Sequence, residues 1–210
     1  PALPGGFTKA PFDILGDTMR GTKGIMLDMF RRPAKLLAAL ERTTPVAARL
    51  GIETATGQNN PFVFIPLHKG ADGFMSDVDF KKFYWPSLKG TLLDLIDAGL
   101  VPFLLVEGGY NQRLEVIADS GLPAGSTYWS FDKTDMKDVK KHWGGWAAFG
   151  GNVANSMLHA GTPQQVADCV KELIDTVGRD GGYGMAAGAV VDEARPENLH
   201  AMFDTTRSYG

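Results

Sequence analysis

Short, unbroken apolar runs that alternate with helix-spaced segments constrain this chain more than any other feature. Phe62-Val63-Phe64-Ile65-Pro66-Leu67 is the first run, and an amphipathic stretch from Asp77 to Ala98 follows it. Val101 to Val106 is the second, followed by Gln112 to Ser120. Thr127 to Phe131 leads into Met136 to Trp143, and Trp146 to Phe149 leads into Pro163 to Val177. A weaker fifth run, Tyr183 to Ala187, precedes Pro196 to Tyr209. Strands apolar on both faces, joined by helices, predict an α/β fold with a buried parallel sheet.

Residues 1–60 read differently, as a helical segment ahead of the βα units of 61–210. Pro11 to Met19 predicts a short helix, and Ile25, Met26, Met29 and Phe30 fall at helical spacing. Pro33 suits the first turn of another helix, and Pro45 to Leu50 predicts a separate short one closed by Gly51. Pro1 to Gly6 reads as a loop. The whole is read as one domain.

Several function classes drop out on composition. With 21 Lys+Arg against 24 Asp+Glu, the chain lacks the basic excess of a nucleic-acid binder. The lone Cys169 permits no internal disulfide and no multi-cysteine zinc cluster. No apolar stretch approaches the roughly 18 residues needed to span a bilayer, and no signal-like pattern opens the chain, so a cytoplasmic location is expected. No strand is followed by a GxGxxG or Walker-type loop, which leaves a dinucleotide or P-loop site unsupported.

Parallel α/β folds carry their chemistry at the C-terminal ends of the strands. The first run ends in His68-Lys69, and the second in Glu107, with Gly108, Gly109, Tyr110 and Asn111 behind it. The third ends in Asp132 and Lys133 with Asp135 nearby, the fourth in Asn152, and the fifth in the chemically blank Ala186-Ala187-Gly188. His, Glu and Asp converging at one mouth can act as general acid and base or ligate a divalent metal. Glu107 follows four apolar residues and precedes two glycines, where a partly buried carboxylate needs a partner or a raised pKa. Plainer readings stand beside these: His68 as a strand cap, Asp132 or Asp135 as a helix N-cap, Asn152 as a turn residue. Cys169, inside a helix-spaced segment, reads as structural.

Certain segments also resemble a known family. Pro66 to Ser76, then Phe80 to Pro86, resembles a strand, loop and helix of the uroporphyrinogen decarboxylase superfamily. Gly151-Asn152-Val153 followed by Gly161-Thr162-Pro163, and Pro196-Glu197-Asn198-Leu199, are similar to later segments of it. The likeness runs from about Phe12 to Gly210 and implies a (β/α)8 TIM-type barrel. Here that would be a C-terminal, partial barrel with about five βα units after the helical segment. A full barrel runs to about 250 residues, so a missing N-terminal half or another chain is expected to complete it.

The resemblance implies an enzyme, with two chemistries on offer. The decarboxylases have Gly-His-Gly where Ala186-Ala187-Gly188 stands here. The methyltransferases have His-x-Cys where Leu105-Val106-Glu107 stands, and a further cysteine near the last strand that is absent here. The expected activity is therefore corrinoid-linked methyl transfer or O-demethylation. Glu107 would be a metal ligand or acid/base group, His68 a second ligand or proton carrier, and Asp132 a third catalytic group. Lys69, Tyr110, Asn111 and Asn152 would bind substrate. The implied cofactors are a divalent metal such as zinc and a corrinoid carried by a partner protein. The alternatives are a cofactor-free uroporphyrinogen III decarboxylase acting on a tetrapyrrole, and a non-catalytic member that binds a tetrapyrrole or a partner.

Overall fold

Six parallel strands lie side by side in chain order in the computed structural model, which describes residues 5–210. They are β1 (Gly6–Phe7), β2 (Phe62–Leu67), β3 (Val101–Val106), β4 (Tyr128–Phe131), β5 (Ala148–Gly150) and β6 (Tyr183–Gly184). Each neighbouring pair is parallel, so every connection crosses over through helix. A doubly wound sheet reverses its strand order at a switch point; strict chain order is the barrel arrangement, and the fold is a partial (β/α)8-type barrel.

The register separates two faces. Phe7, Phe64, Phe103 and Tyr128 stand level across β1 to β4. Their rings meet in succession at 6.3, 5.7 and 5.0 Å between centroids. On the opposite face Ile65, Leu104, Trp129 and Phe149 form a level row, and Leu67, Val106 and Phe131 form another. These two rows are buried beneath the helices.

Two features of the first sixty residues differ from the sequence reading. The described part of the segment includes a strand, β1, so the described residues hold six βα units where about five were expected. β1 escapes a periodicity search because it is two residues long and half glycine; tertiary contacts make it a strand. Thr8 donates its backbone N–H to Phe64 O at 3.1 Å. On the outer side, the Phe7 N–H donates to Thr54 Oγ1 at 2.9 Å, while the Thr54 hydroxyl donates to Leu50 O at 2.6 Å. After β1 come α1 (Pro11–Ile14), a π-helical turn (Leu15–Met19), α2 (Gly21–Arg31) and α3 (Pro33–Thr56).

The second difference is that α3 does not break. Pro45 lies inside it, and Gly51 does not end it. Gly51 is buried where the helix crosses β2. A Cβ there would lie 2.9 Å from Leu95 Cδ2 and 3.1 Å from Val63 Cγ1, so close packing, not capping, requires the glycine.

The remaining helices follow the sequence expectation closely. Asp77 to Ala98 becomes α4 (Asp77–Asp79), a π-helical turn (Phe80–Tyr84) and α5 (Trp85–Asp97). Ser76 caps this stretch by accepting from the Asp79 N–H at 3.1 Å. A 3-10 turn (Asn111–Arg113) leads into α6 (Leu114–Ala118), and α7 spans Met136–Trp143. An unforeseen short helix, α8 (Asn155–Ala160), precedes α9 (Pro163–Leu173), which ends in a third π-helical turn (Ile174–Gly178). Thr162 and Gln165 form a reciprocal capping box at its start. The chain closes with α10 (Pro196–Tyr209). Among the described residues, no helix is long and apolar enough to cross a membrane.

Trp143 anchors the core under β4. It is fully buried, with Trp129, Phe131 and Trp146 at 5.0, 5.2 and 5.4 Å between ring centroids. Its Nε1–H donates to Leu114 O at 2.9 Å. Trp143→Ala is expected to lower the unfolding free energy in a urea titration by about 3–5 kcal/mol. The exposed Phe203→Ala should change it by no more than about 0.5 kcal/mol.

Candidate active site

Side-chain alternation explains why the strand ends share one face. Pro66, Leu105, Ser130, Gly150 and Gly184 stand level on the same face as the aromatic row. Two residues further along each of four strands lie His68, Glu107, Asp132 and Asn152. A step of two returns a side chain to the same face, so His68, Glu107 and Asp132 continue that face at the mouth. Asn152 follows a turn at Gly151, whose φ is 110°, and lines a cleft with Cys169 and Thr176 instead. His68 Nε2 and Glu107 Oε2 are 3.8 Å apart, both on partly exposed side chains.

Two carboxylates from the helical turn after β1 organise this row. Asp13, in α1, is buried beneath it. Its Oδ1 accepts from the Lys69 backbone N–H at 3.1 Å. Its Oδ2 accepts from the His68 backbone N–H at 3.1 Å and from the Tyr84 hydroxyl at 2.7 Å. Burial raises the Asp13 pKa, opposed by the Tyr84 and His68 hydrogen bonds and by the charges of His68 and Lys69.

Asp17, one turn later, gathers three donors. Its Oδ1 accepts from Lys69 Nζ, and its Oδ2 from Lys9 Nζ at 2.9 Å; His68 Nδ1 lies 2.9 Å from the same Oδ2. Partial burial alone would raise the Asp17 pKa, but bonds from Lys69, Lys9 and His68 hold it far below the carboxylate range. The Lys69 stem crosses Gly16, where a Cβ would come within 3.0 Å of its Cδ and Cε.

The other expected site residues have different surroundings. Lys69 is nearly buried, with its ammonium on Asp17 rather than open at the mouth. Tyr110, expected to orient substrate, is fully buried instead, with its ring edge-on to Phe80 at 6.2 Å. The turn at Gly108-Gly109 sends the chain back under the loop, so the phenol faces the core, and burial pushes its pKa up. Asn111 is exposed, and its Oδ1 accepts from the Asp135 N–H at 2.9 Å, which steadies the start of α7. Asp135 caps that helix by accepting from the Lys137 N–H at 2.8 Å. Asp132 Oδ2 accepts from the Gly108 N–H at 3.0 Å, tying the end of β4 to that of β3. Asn152 Nδ2 donates to Thr134 O at 2.7 Å. Arg113, in the 3-10 turn after β3, buries its side chain against the loop after β2, donating to Met75 O at 2.7 Å and lying 4.7 Å from the Phe80 ring centroid.

Asp13, Asp17 and Lys9 are the members that sequence reasoning missed. Their signal is present: Asp13 and Asp17 are four apart, on one helical face. It becomes readable only once a strand is recognised just before them. For a metal, His68 and Glu107 supply two donors. Among the described residues no group of three or more His, Cys, Asp or Glu is placed to hold an ion.

The depressed Asp17 pKa makes a pH prediction. A carboxylate whose folded pKa lies below its unfolded value adds stability above the unfolded value, and that stability is lost as pH falls. The stability gap between the unsubstituted chain and Asp17→Asn is therefore expected to be widest near neutrality. It should narrow below about pH 4 in urea titrations run across a pH series.

A family model described as Uroporphyrinogen decarboxylase (URO-D) matches residues 4–209. The uroporphyrinogen decarboxylase of Idiomarina loihiensis is 25% identical over 208 residues, covering 97% of this chain and 56% of that protein. That of Serratia proteamaculans is 25% identical over 207 residues, covering 96% and 56%. The chain thus spans little more than half the length of these relatives. A solved methyltransferase from Methanosarcina mazei shares the fold, with a TM-score of 0.79 at 21% identity over 100% of this chain and 60% of that one. With six chain-ordered parallel strands and a family match that runs almost end to end, the chain belongs to the uroporphyrinogen decarboxylase (URO-D) family.

Proposed function

We propose that this chain is part of a methyl-transferring member of the family, with His68, Glu107 and Asp132 as its acid–base groups. A corrinoid carried by a partner protein would be the methyl acceptor and a small methyl ether the donor. The observation that carries the reading is the charge balance at the mouth. Lys9 and Lys69 are both held by Asp17, Glu107 and Asp132 add two more carboxylates, and Lys133 is the one exposed lysine among the described strand ends. An octa-acid tetrapyrrole calls for several unengaged cations to meet its carboxylates. A small uncharged donor has no such need.

In this reading the C–O bond of the ether breaks as the methyl group passes to the acceptor, and the bonding electrons stay on oxygen. That oxygen takes a proton from His68, and Glu107 stabilises the charged ring beforehand. Asp132 holds the Gly108 turn that presents Glu107. Lys69 borders the site with its ammonium on Asp17, and Asn152 is engaged with Thr134 O.

Decarboxylation is the second reading, favoured by the names of the curated relatives. Both are tested on the full-length protein. One arm supplies a methoxyphenol and a reduced corrinoid and follows the corrinoid absorbance; the other supplies uroporphyrinogen III and weighs the products for lost carboxylates. Methyl transfer without carboxylate loss is the expected result, and the reverse outcome overturns the proposal. Association without turnover in either arm would point to a binding protein. His68→Gln and Glu107→Gln are each expected to lower kcat by about 10²- to 10⁴-fold with little change in KM.

A further inference from the structure

His68 offers a different ring nitrogen to each of two carboxylates. Nδ1 lies 2.9 Å from Asp17 Oδ2, a hydrogen-bond distance, whereas Nε2 lies 3.8 Å from Glu107 Oε2, which is too long for one. An ionised carboxylate only accepts, so the 2.9 Å contact requires the hydrogen on Nδ1.

Nothing about Asp17 leaves it free to turn away. Lys69 holds Oδ1 and Lys9 holds Oδ2. The His68 backbone is fixed independently, through its N–H to Asp13 at 3.1 Å. One helical turn thus clamps both the main chain and the ring of the same histidine.

We propose that Asp17 is a positioning residue that holds His68 in the Nδ1–H tautomer, so that Nε2 is the one ring nitrogen that gains and gives up a proton at the mouth. A neutral histidine side chain in water favours the opposite form, Nε2–H, so Asp17 has a preference to reverse. The hydrogen bond made by one ring nitrogen decides which nitrogen is protonated. During transfer the charged ring gives its Nε2 proton to the leaving oxygen and returns to the neutral Nδ1–H form. A hydronium ion from bulk solvent, which reaches the partly exposed ring, restores the Nε2 proton. The inference rests on His68 being the proton carrier proposed above, yet it is read without turnover, so either can fail alone.

The test is two-bond ¹H–¹⁵N correlation on ¹⁵N-histidine-labelled protein, titrated to the plateau of the neutral ring. The chain has four histidines, and loss of one pattern in His68→Gln assigns the relevant ring. The expected result is a protonated-type Nδ1 and an unprotonated-type Nε2 in the unsubstituted chain. Asp17→Ala should swap the two, and Glu107→Gln should leave them unchanged. An Nε2–H pattern in the unsubstituted chain overturns the proposal. So does an Nδ1–H pattern that persists in Asp17→Ala with an unaltered circular dichroism spectrum. If Asp17→Ala does not fold, the pattern of the unsubstituted chain alone decides.

Discussion

A buried carboxylate must be met by donors from the protein, because the water it gave up cannot return. Asp13 is met by three, and they come from two places far apart in sequence: the backbone at His68 and Lys69, and the Tyr84 hydroxyl. Hydrogen bonds to a charged group are worth about 1.5–3 kcal/mol each. The requirement therefore pulls the turn after β1, the end of β2 and the start of α5 to one point. The direction in which His68 leaves its strand, the reach of Lys69 over Gly16 and the approach of Asp17 to the imidazole all depend on that junction.

How much of this could be read in the sequence depended on how local the cause was. β2 and β3 match their apolar runs residue for residue, because burial on both faces leaves no polar interruption. α7 and α10 also match, one led by an Asp135 cap and the other by a first-turn proline. β1 did not, since two residues held by Thr8 and Thr54 carry no period of their own. Pro45 and Gly51 mislead for a related reason: both are breakers by local rule, and both are retained inside α3 where the helix packs on the sheet. The shared face of His68 and Glu107 was legible because strand register alone sets it. The burial of Tyr110 was not, because Gly108, at a φ of 80°, turns the backbone between the strand end and Tyr110. Asp17 was hidden by the same omission that hid β1.

Membership in the family settles the scaffold and leaves the chemistry to individual side chains, as recurs wherever one barrel carries several reactions. The strand ends of this chain are distinctive in how their charges are spent. The Lys9 and Lys69 ammonium groups are both drawn onto one carboxylate, Asp17. The same carboxylate lies 2.9 Å from the His68 imidazole.

The Thr54 hydroxyl at the outer side of β1 has a consequence for how the sheet meets other chains. Exposed strand edges template intermolecular ladders, the usual start of fibrous aggregation. Here the outward N–H of Phe7 is already occupied, and the strand is only two residues long. A strand arriving at that edge must displace a side chain before its first rung can form. Thr54 thus acts as a latch on the ladder, released only by a partner whose pairing outcompetes it.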